Sequence, residues 1–108
     1  MGWFSRKITD PAEAFDRLLQ KDKKISDQAR DDFVANLNHN LIEFLHERFE
    51  EQDSVETRLK ILEIFAARKN NLSEEDLRLI LTLIKYPETL FRETFKEILA
   101  GITEENLK

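Results

Sequence analysis

The segment spanning residues 77–85 constrains the fold more than any other part of this chain. It reads LRLILTLIK, and its only polar residues, Arg78, Thr82 and Lys85, are spaced i, i+4 and i+7. On a helix these three side chains form one narrow stripe, and the rest of the circumference is apolar. Neighbouring helices or a partner must cover a helix of this kind on almost all sides. The segment therefore predicts an architecture of packed helices in which residues 77–84 are hidden from water.

Length and composition narrow the class of protein. A chain of 108 residues has the length of one domain, and we expect an N-terminal arm at residues 1–9 and a single all-helical domain at 10–108. The absence of cysteine excludes disulfides and thiolate metal sites. The two glycines, Gly2 and Gly101, lie near the ends, so a glycine-rich phosphate loop is excluded. No apolar run approaches the ~20 residues of a membrane span, and no signal-peptide core is present. These features predict a cytoplasmic protein.

The charge is distributed unevenly along the chain. The net charge is −5, and residues 31–53 carry seven acidic groups and one basic group, or −6. An acidic middle disfavours nucleic acid as a partner, because nucleic acid needs a basic surface. The acidic stretch is interpreted as a solvated helix face, with a docking patch for a basic partner as the alternative. The expected partner is another protein or a second copy of this chain.

Helix starts are marked by capping residues. Asp10 and Pro11, with Glu13 three residues after the cap, have the arrangement of a capping box. Three of the four serines precede acidic residues in the same way: Ser26, Ser54 and Ser73. A capping hydroxyl is already bonded to backbone N–H groups, so this use of serine disfavours a serine nucleophile.

Apolar periodicity predicts helices over residues 11–22, 55–69, 74–85 and 88–100, the last one closed by Gly101. Residues 27–51 could form one helix, but a break at residues 38–40 would realign the apolar stripe, and two helices at 27–38 and 40–51 are preferred. Thr103 could begin one more turn. The predicted fold class is all-α, with five to six short antiparallel helices in an α-solenoid-like stack or a compact helical bundle.

Two pairs of helical segments are similar to each other at nearly the same offset. Residues 61–67, ILEIFAA, align with residues 95–101, FKEILAG, and residues 41–45, LIEFL, align with residues 77–81, LRLIL. On these segments the chain resembles the HEAT/armadillo class of helical repeats over residues 40–101. The HEAT proline in the first helix and the armadillo glycine are not evident. The resemblance implies a protein-binding scaffold rather than a catalyst.

One helical face carries the residue types of a metal site. His39, Glu43, His46 and Glu50 are spaced i, i+4, i+7 and i+11. Glu43-x-x-His46 is half of a di-iron bundle signature, but Asn36, three residues before His39, prevents a second such motif. The favoured interpretation is a solvated polar face with no metal, no cofactor and no catalytic residue. The alternative is a small metal-dependent enzyme that uses this face.

Two other sets of residues are candidates for partner binding. Trp3 and Phe4 lie beside basic residues, and they would pack on the helices, dock on a partner, or anchor a membrane-associated regulator at a bilayer surface. Arg78 and Lys85 would reach solvent or form a basic strip for an acidic partner peptide. The favoured hypothesis is a non-enzymatic helical protein–protein interaction module, acting as an adaptor or regulatory subunit.

Overall fold

Six α-helices form within the residues described by the computed structural model, which are 7–52, 54–85 and 89–106. The helices are α1 (Pro11–Leu18), α2 (Lys23–Asn36), α3 (His39–Glu51), α4 (Val55–Ala67), α5 (Glu74–Leu81) and α6 (Thr89–Asn106). Short 3-10 helices, Lys69–Asn71 and Thr82–Lys85, follow α4 and α5. No described residue belongs to a β-strand, so the predicted all-α fold class is confirmed.

Four of the predicted helix starts carry a side-chain cap. The carboxylate of Asp10 accepts the first N–H groups of α1, and the hydroxyls of Ser54 and Ser73 do the same for α4 and α5. The Asn38 side chain accepts a hydrogen bond from Leu41 N at 2.9 Å and begins α3. The expected break between two helices in this region is therefore confirmed.

The predicted start at Ser26 is wrong. Asp22 caps α2 instead, accepting hydrogen bonds from Lys24 N at 2.9 Å and Ile25 N at 3.4 Å. Accordingly, α1 ends at Leu18, whereas the first helix was predicted to reach residue 22. Ser26 lies inside α2, where it is buried and its hydroxyl donates to the Leu18 carbonyl at 2.6 Å. Its role is therefore to fasten α2 to the end of α1.

Two other helix ends differ from the prediction. Gly101 does not close the last helix: no described glycine has positive φ, and α6 continues through Gly101 to Asn106. The α-helix that was expected to reach residue 85 ends at Leu81 and tightens into a 3-10 helix. There the Thr82 hydroxyl donates to the Leu79 carbonyl at 2.7 Å, a side-chain bond that competes with regular α-helical pairing.

Next-but-one helices lie side by side and run in the same direction. Ser26 near the start of α2 bonds Lys60 of α4, and Val34 near the end of α2 bonds Arg68 just after α4, both at a separation of 34 residues. Polar contacts between α3 and the α5 region join residues separated by 35, 36 and 37 positions. Two parallel helix pairs are thereby established, α2 with α4 and α3 with α5.

Basic side chains of α4 and its C-cap close the ends of three earlier helices. Lys60 Nζ donates to the Leu18 carbonyl at 3.1 Å, Arg58 Nε to the Phe49 carbonyl at 3.0 Å, and Arg68 Nη1 to the Val34 carbonyl at 2.6 Å. The last carbonyls of a helix have no intrahelical partner, and a cation there also offsets the helix dipole. Residues of α4 and its C-cap therefore cap the C-terminal ends of α1, α2 and α3.

The hydrophobic core is centred on α4. Ile61, Leu62, Ile64 and Phe65 are all fully buried, and α4 packs against α2, α3 and α6. The remaining large aromatic side chains with no exposed surface come from α2, α3 and α6: Phe33, Phe49 and Phe91. With a radius of gyration of 13.4 Å, the described chain has the size expected of about 100 compactly folded residues.

The segment at 77–84 is less enclosed than its composition predicts. Leu77, Ile80 and Leu83 are buried, but Leu79 and Leu81 are only half-buried. The side chain of Ile84 lies outside the described residues. Because α5 packs mainly on α3, one flank of the segment remains at the surface. The most enclosed helix among the described residues is α4, in which Ile61, Leu62, Ile64 and Phe65 have no exposed surface.

Charge introduced on the two flanks of α5 is expected to have very different effects. We expect Ile80→Asp to cost more than the about 2–5 kcal/mol of truncating a buried isoleucine, because it also buries a carboxylate. Leu81→Asp should cost only about 1–2 kcal/mol, since this side chain is half exposed. Urea denaturation followed by circular dichroism measures both. Equal losses in the two variants would contradict the described packing.

Candidate functional site

The polar face predicted on α3 and the polar stripe predicted on α5 meet in the structure. They form the α3–α5 seam, which comprises His39, Glu43, His46 and Glu50 of α3 together with Glu75, Asp76, Thr82 and Lys85. The parallel pairing of the two helices produces this meeting, since His39, His46 and Glu50 each then face a residue 35 to 37 positions later. The polar residues of α3 and the residues Thr82 and Lys85 belong to the faces predicted from the sequence, whereas Glu75, Asp76 and the contact itself were not predicted.

His39 and Asp76 form the strongest contact of the seam. His39 Nδ1 lies 2.6 Å from Asp76 Oδ1, and His39 Nε2 lies 3.5 Å from Glu43 Oε1 and 3.8 Å from Glu75 Oε1. His39 is placed here by the Asn38 cap, which starts α3 immediately before it. Asp76 is buried in the first turn of α5, where its N–H bonds the Ser73 cap. One imidazole thus faces three carboxylates.

These carboxylates favour the protonated form of His39. The hydrogen bond to Asp76 raises the pKa of His39 above its ordinary value of 6.5, partial burial works against this rise, and the charges of Glu43, Asp76 and Glu75 add to it. A protonated imidazole donates from both ring nitrogens, which matches an acceptor on either side. The contact therefore joins α3 to α5 most strongly when His39 is charged.

The other end of the seam is organised by His46. Its Nε2 lies 2.7 Å from Thr82 Oγ1, and its Nδ1 lies 3.5 Å from Glu50 Oε1. The Thr82 hydroxyl donates its only proton to the Leu79 carbonyl, so His46 Nε2 must be the donor to Thr82. Glu50 also accepts a hydrogen bond from Lys85 Nζ at 3.1 Å. His46 is therefore held in one orientation by contacts within the fold.

The two basic residues predicted to bind a partner already lie beside acidic side chains. Arg78 Nη2 is 2.7 Å from Glu74 Oε1, and Lys85 pairs with Glu50. The Arg78 and Glu74 side chains are 78% and 80% exposed, and exposed pairs of this kind contribute only about 0–1 kcal/mol. The seam as a whole carries more carboxylates than cations and forms an acidic surface, while the role of Arg78 and Lys85 in binding an acidic partner stays a prediction.

No cluster of three or more histidine and carboxylate side chains among the described residues has the geometry to hold a metal ion. The metal-dependent enzyme suggested by His39, Glu43, His46 and Glu50 remains a hypothesis. Trp3 and Phe4 lie outside the described residues, so their proposed docking and membrane roles also stay predictions. None of the described helices combines the length and the apolar character that crossing a bilayer requires.

A second surface, which sequence reasoning missed, lies at the turn between α1 and α2. Two of the three exposed large hydrophobic residues in the described chain, Leu19 and Ile25, flank this turn. The residues between them are exposed and include three lysines: Lys21, Lys23 and Lys24. Two cavities, of about 570 Å³ and about 380 Å³, lie beside the turn. The sequence signal is the run KDKKI at residues 21–25, of which residues 21 and 22 fall in the predicted first helix and the rest in the predicted linker.

Comparison of the chain with known protein families, with curated proteins and with solved structures finds no match in any of the three.

The stability of the fold is expected to depend on the charge of His39. Because the pKa of His39 is raised on folding, its contribution is complete below the unfolded pKa near 6.5 and is lost as pH rises through the folded value. We expect His39→Gln to lower the melting temperature more at about pH 5.5 than at about pH 9. An NMR titration of the His39 ring should also show a lower pKa in Asp76→Asn.

Glu47→Gln is the matched control for these measurements, because Glu47 is an exposed residue of α3 outside the seam. It should leave the pKa of His39 nearly unchanged. A melting-temperature difference between wild type and His39→Gln that is independent of pH would contradict the described geometry.

Proposed function

We propose that this chain is a non-enzymatic helical protein–protein interaction module with a HEAT-like arrangement of helix pairs. The observation that supports it most strongly is the parallel packing of next-but-one helices, with polar contacts at chain separations of 34 to 37 residues. A stack of helix pairs produces this pattern, because each pair repeats the direction of the previous one. The six described helices would correspond to three such pairs.

The polar residues of the seam support an interaction role over a catalytic one. His39, His46 and Thr82 are each held by hydrogen bonds to other side chains or to the backbone. Three cavities among the described residues are lined by side chains of α1, α2, α4 and the α1–α2 turn and by Phe44, Arg48 and Gln52, and neither histidine lines any of these three. A general acid or base needs a substrate within hydrogen-bond reach, which is better provided in a cavity than on an open helix face.

A module of this kind is expected to form a saturable complex with one partner in its native host. A photo-reactive amino acid placed at exposed positions on α2, α3 and α6, such as Lys24, Glu47 and Glu93, should give a discrete adduct from at least one position. Excess unlabelled protein should suppress the adduct. The partner protein identified from the adduct, once purified without a crosslink, should then form a complex of fixed stoichiometry with this chain in sedimentation experiments.

The Ile80→Asp variant is the control for dependence on the fold, because Ile80 is fully buried and does not contribute to the surface. Its adduct should be lost together with its helical circular dichroism signal. If the folded wild-type protein gave no suppressible adduct from any of the three positions, the interaction-module proposal would be refuted.

A further inference from the structure

The first turn of α2 differs in charge from the first turns of α1, α4 and α5. The first turns of α1 and α4 contain Glu13 and Glu56, and α5 begins with three acidic residues. The first turn of α2 contains no acidic residue and begins with Lys23 and Lys24. Cations at a helix N-terminus oppose the helix dipole. Residues that break a local stability rule with no compensating contact are frequently functional.

The lysines of this turn have no carboxylate partner within the described chain. Lys21, Lys23 and Lys24 are exposed and lie within ion-pair distance of no described acidic group. Six other described basic residues do lie beside a carboxylate: Arg17, Arg30, Arg48, Arg78, Lys85 and Lys96. The turn therefore groups three lysines without a carboxylate partner in a chain whose net charge is −5.

The same turn presents apolar side chains beside hollows. Leu19 is 37% exposed and lines the larger cavity together with Lys21, Lys23 and Lys60. Ile25 is 42% exposed and lines the smaller cavity. The turn thus borders two concave surfaces. Hydrophobic anchors beside a polar, solvent-accessible rim are characteristic of surfaces that bind protein segments, and here the rim carries more lysines than carboxylates.

We propose that the α1–α2 turn, residues 19–25, docks an acidic segment of a partner protein that also carries apolar side chains. The carboxylates of the segment would pair with Lys21, Lys23 and Lys24, and its apolar side chains would enter the two cavities. This inference rests on the proposed interaction function and gives it a surface and a partner chemistry. A protein segment fits better than an anionic membrane, because Asp27 and Glu56 line the larger cavity and would repel a uniformly anionic surface.

The test uses the full chain as bait for a displayed library of random peptides. The enriched peptides should combine acidic and apolar residues, and their affinity, measured by fluorescence anisotropy, should fall as salt rises. The triple variant K21E/K23E/K24E should bind the strongest peptide at least about tenfold more weakly. Leu19→Ser and Ile25→Ser should weaken binding without changing its salt dependence.

The melting temperature of the triple variant shows whether its weaker peptide binding could result from unfolding. Glutamate in the first turn of α2 favours the helix dipole, so the triple variant should melt at the same temperature as wild type or higher. The matched control reverses three charges on the Lys69–Asn71 segment and α6, which pack together: K69E/R92E/K96E. This control should keep wild-type affinity for the peptide.

Three results would overturn the docking proposal. The first is that no peptide is enriched, and the second is that the enriched peptides bind the triple variant as tightly as wild type. The third is that no acidic peptide binds, while wild type binds vesicles with about one third phosphatidylserine and the triple variant does not. In the second case, peptides bound elsewhere would leave the interaction-module proposal standing. That proposal fails separately, through the absence of a suppressible adduct in the native host.

Discussion

The arrangement of the helices depends on the hydrogen bonds from three basic side chains to carbonyl groups at helix ends. Lys60, Arg58 and Arg68 bond the ends of α1, α3 and α2 respectively. A carbonyl buried without a partner costs free energy comparable to a lost hydrogen bond, and a charged donor makes a stronger bond than a neutral one. These donors lie on α4 or directly after it, and α4 also forms the centre of the core. The hydrophobic contacts and these hydrogen bonds therefore require the same alignment of the helices.

The α3–α5 seam adds a second polar register on the outside of the fold. The hydrophobic contact between two helices tolerates sliding by a turn, whereas the pairs His39–Asp76 and His46–Thr82 are satisfied at one alignment only. The seam leaves an acidic surface, and the α1–α2 turn leaves a basic one. A chain polarised in this way can orient a charged partner before contact, which supports the proposed role in protein interaction.

The sequence predicts local features of this chain better than tertiary ones. The caps Asp10, Ser54 and Ser73 and the break near Asn38 depend on residues within one turn, and the structure confirms them. Ser26 could not be assigned correctly, because its partner is the Leu18 carbonyl of another helix and Asp22 supplies the cap. The polar face of α3 and the positions of Thr82 and Lys85 follow from helical spacing, but the contact of His39 with Asp76 requires the parallel pairing of α3 with α5. The basic turn was not predicted as a surface, because the exposure of Leu19 and Ile25 depends on where α1 ends and α2 begins in the fold.

The concentration of these caps in and beside one helix limits how the chain can be recombined. A chimera that exchanged residues 55–68 for another amphipathic helix would remove the donors to three distant carbonyls, even if it preserved every apolar position. A duplicated helix pair inserted into the chain would likewise need its own long basic side chains at matching positions. The capping lysine and arginines therefore limit which segments can be exchanged. A library of exchangeable segments would have to keep these residues as well as the hydrophobic pattern.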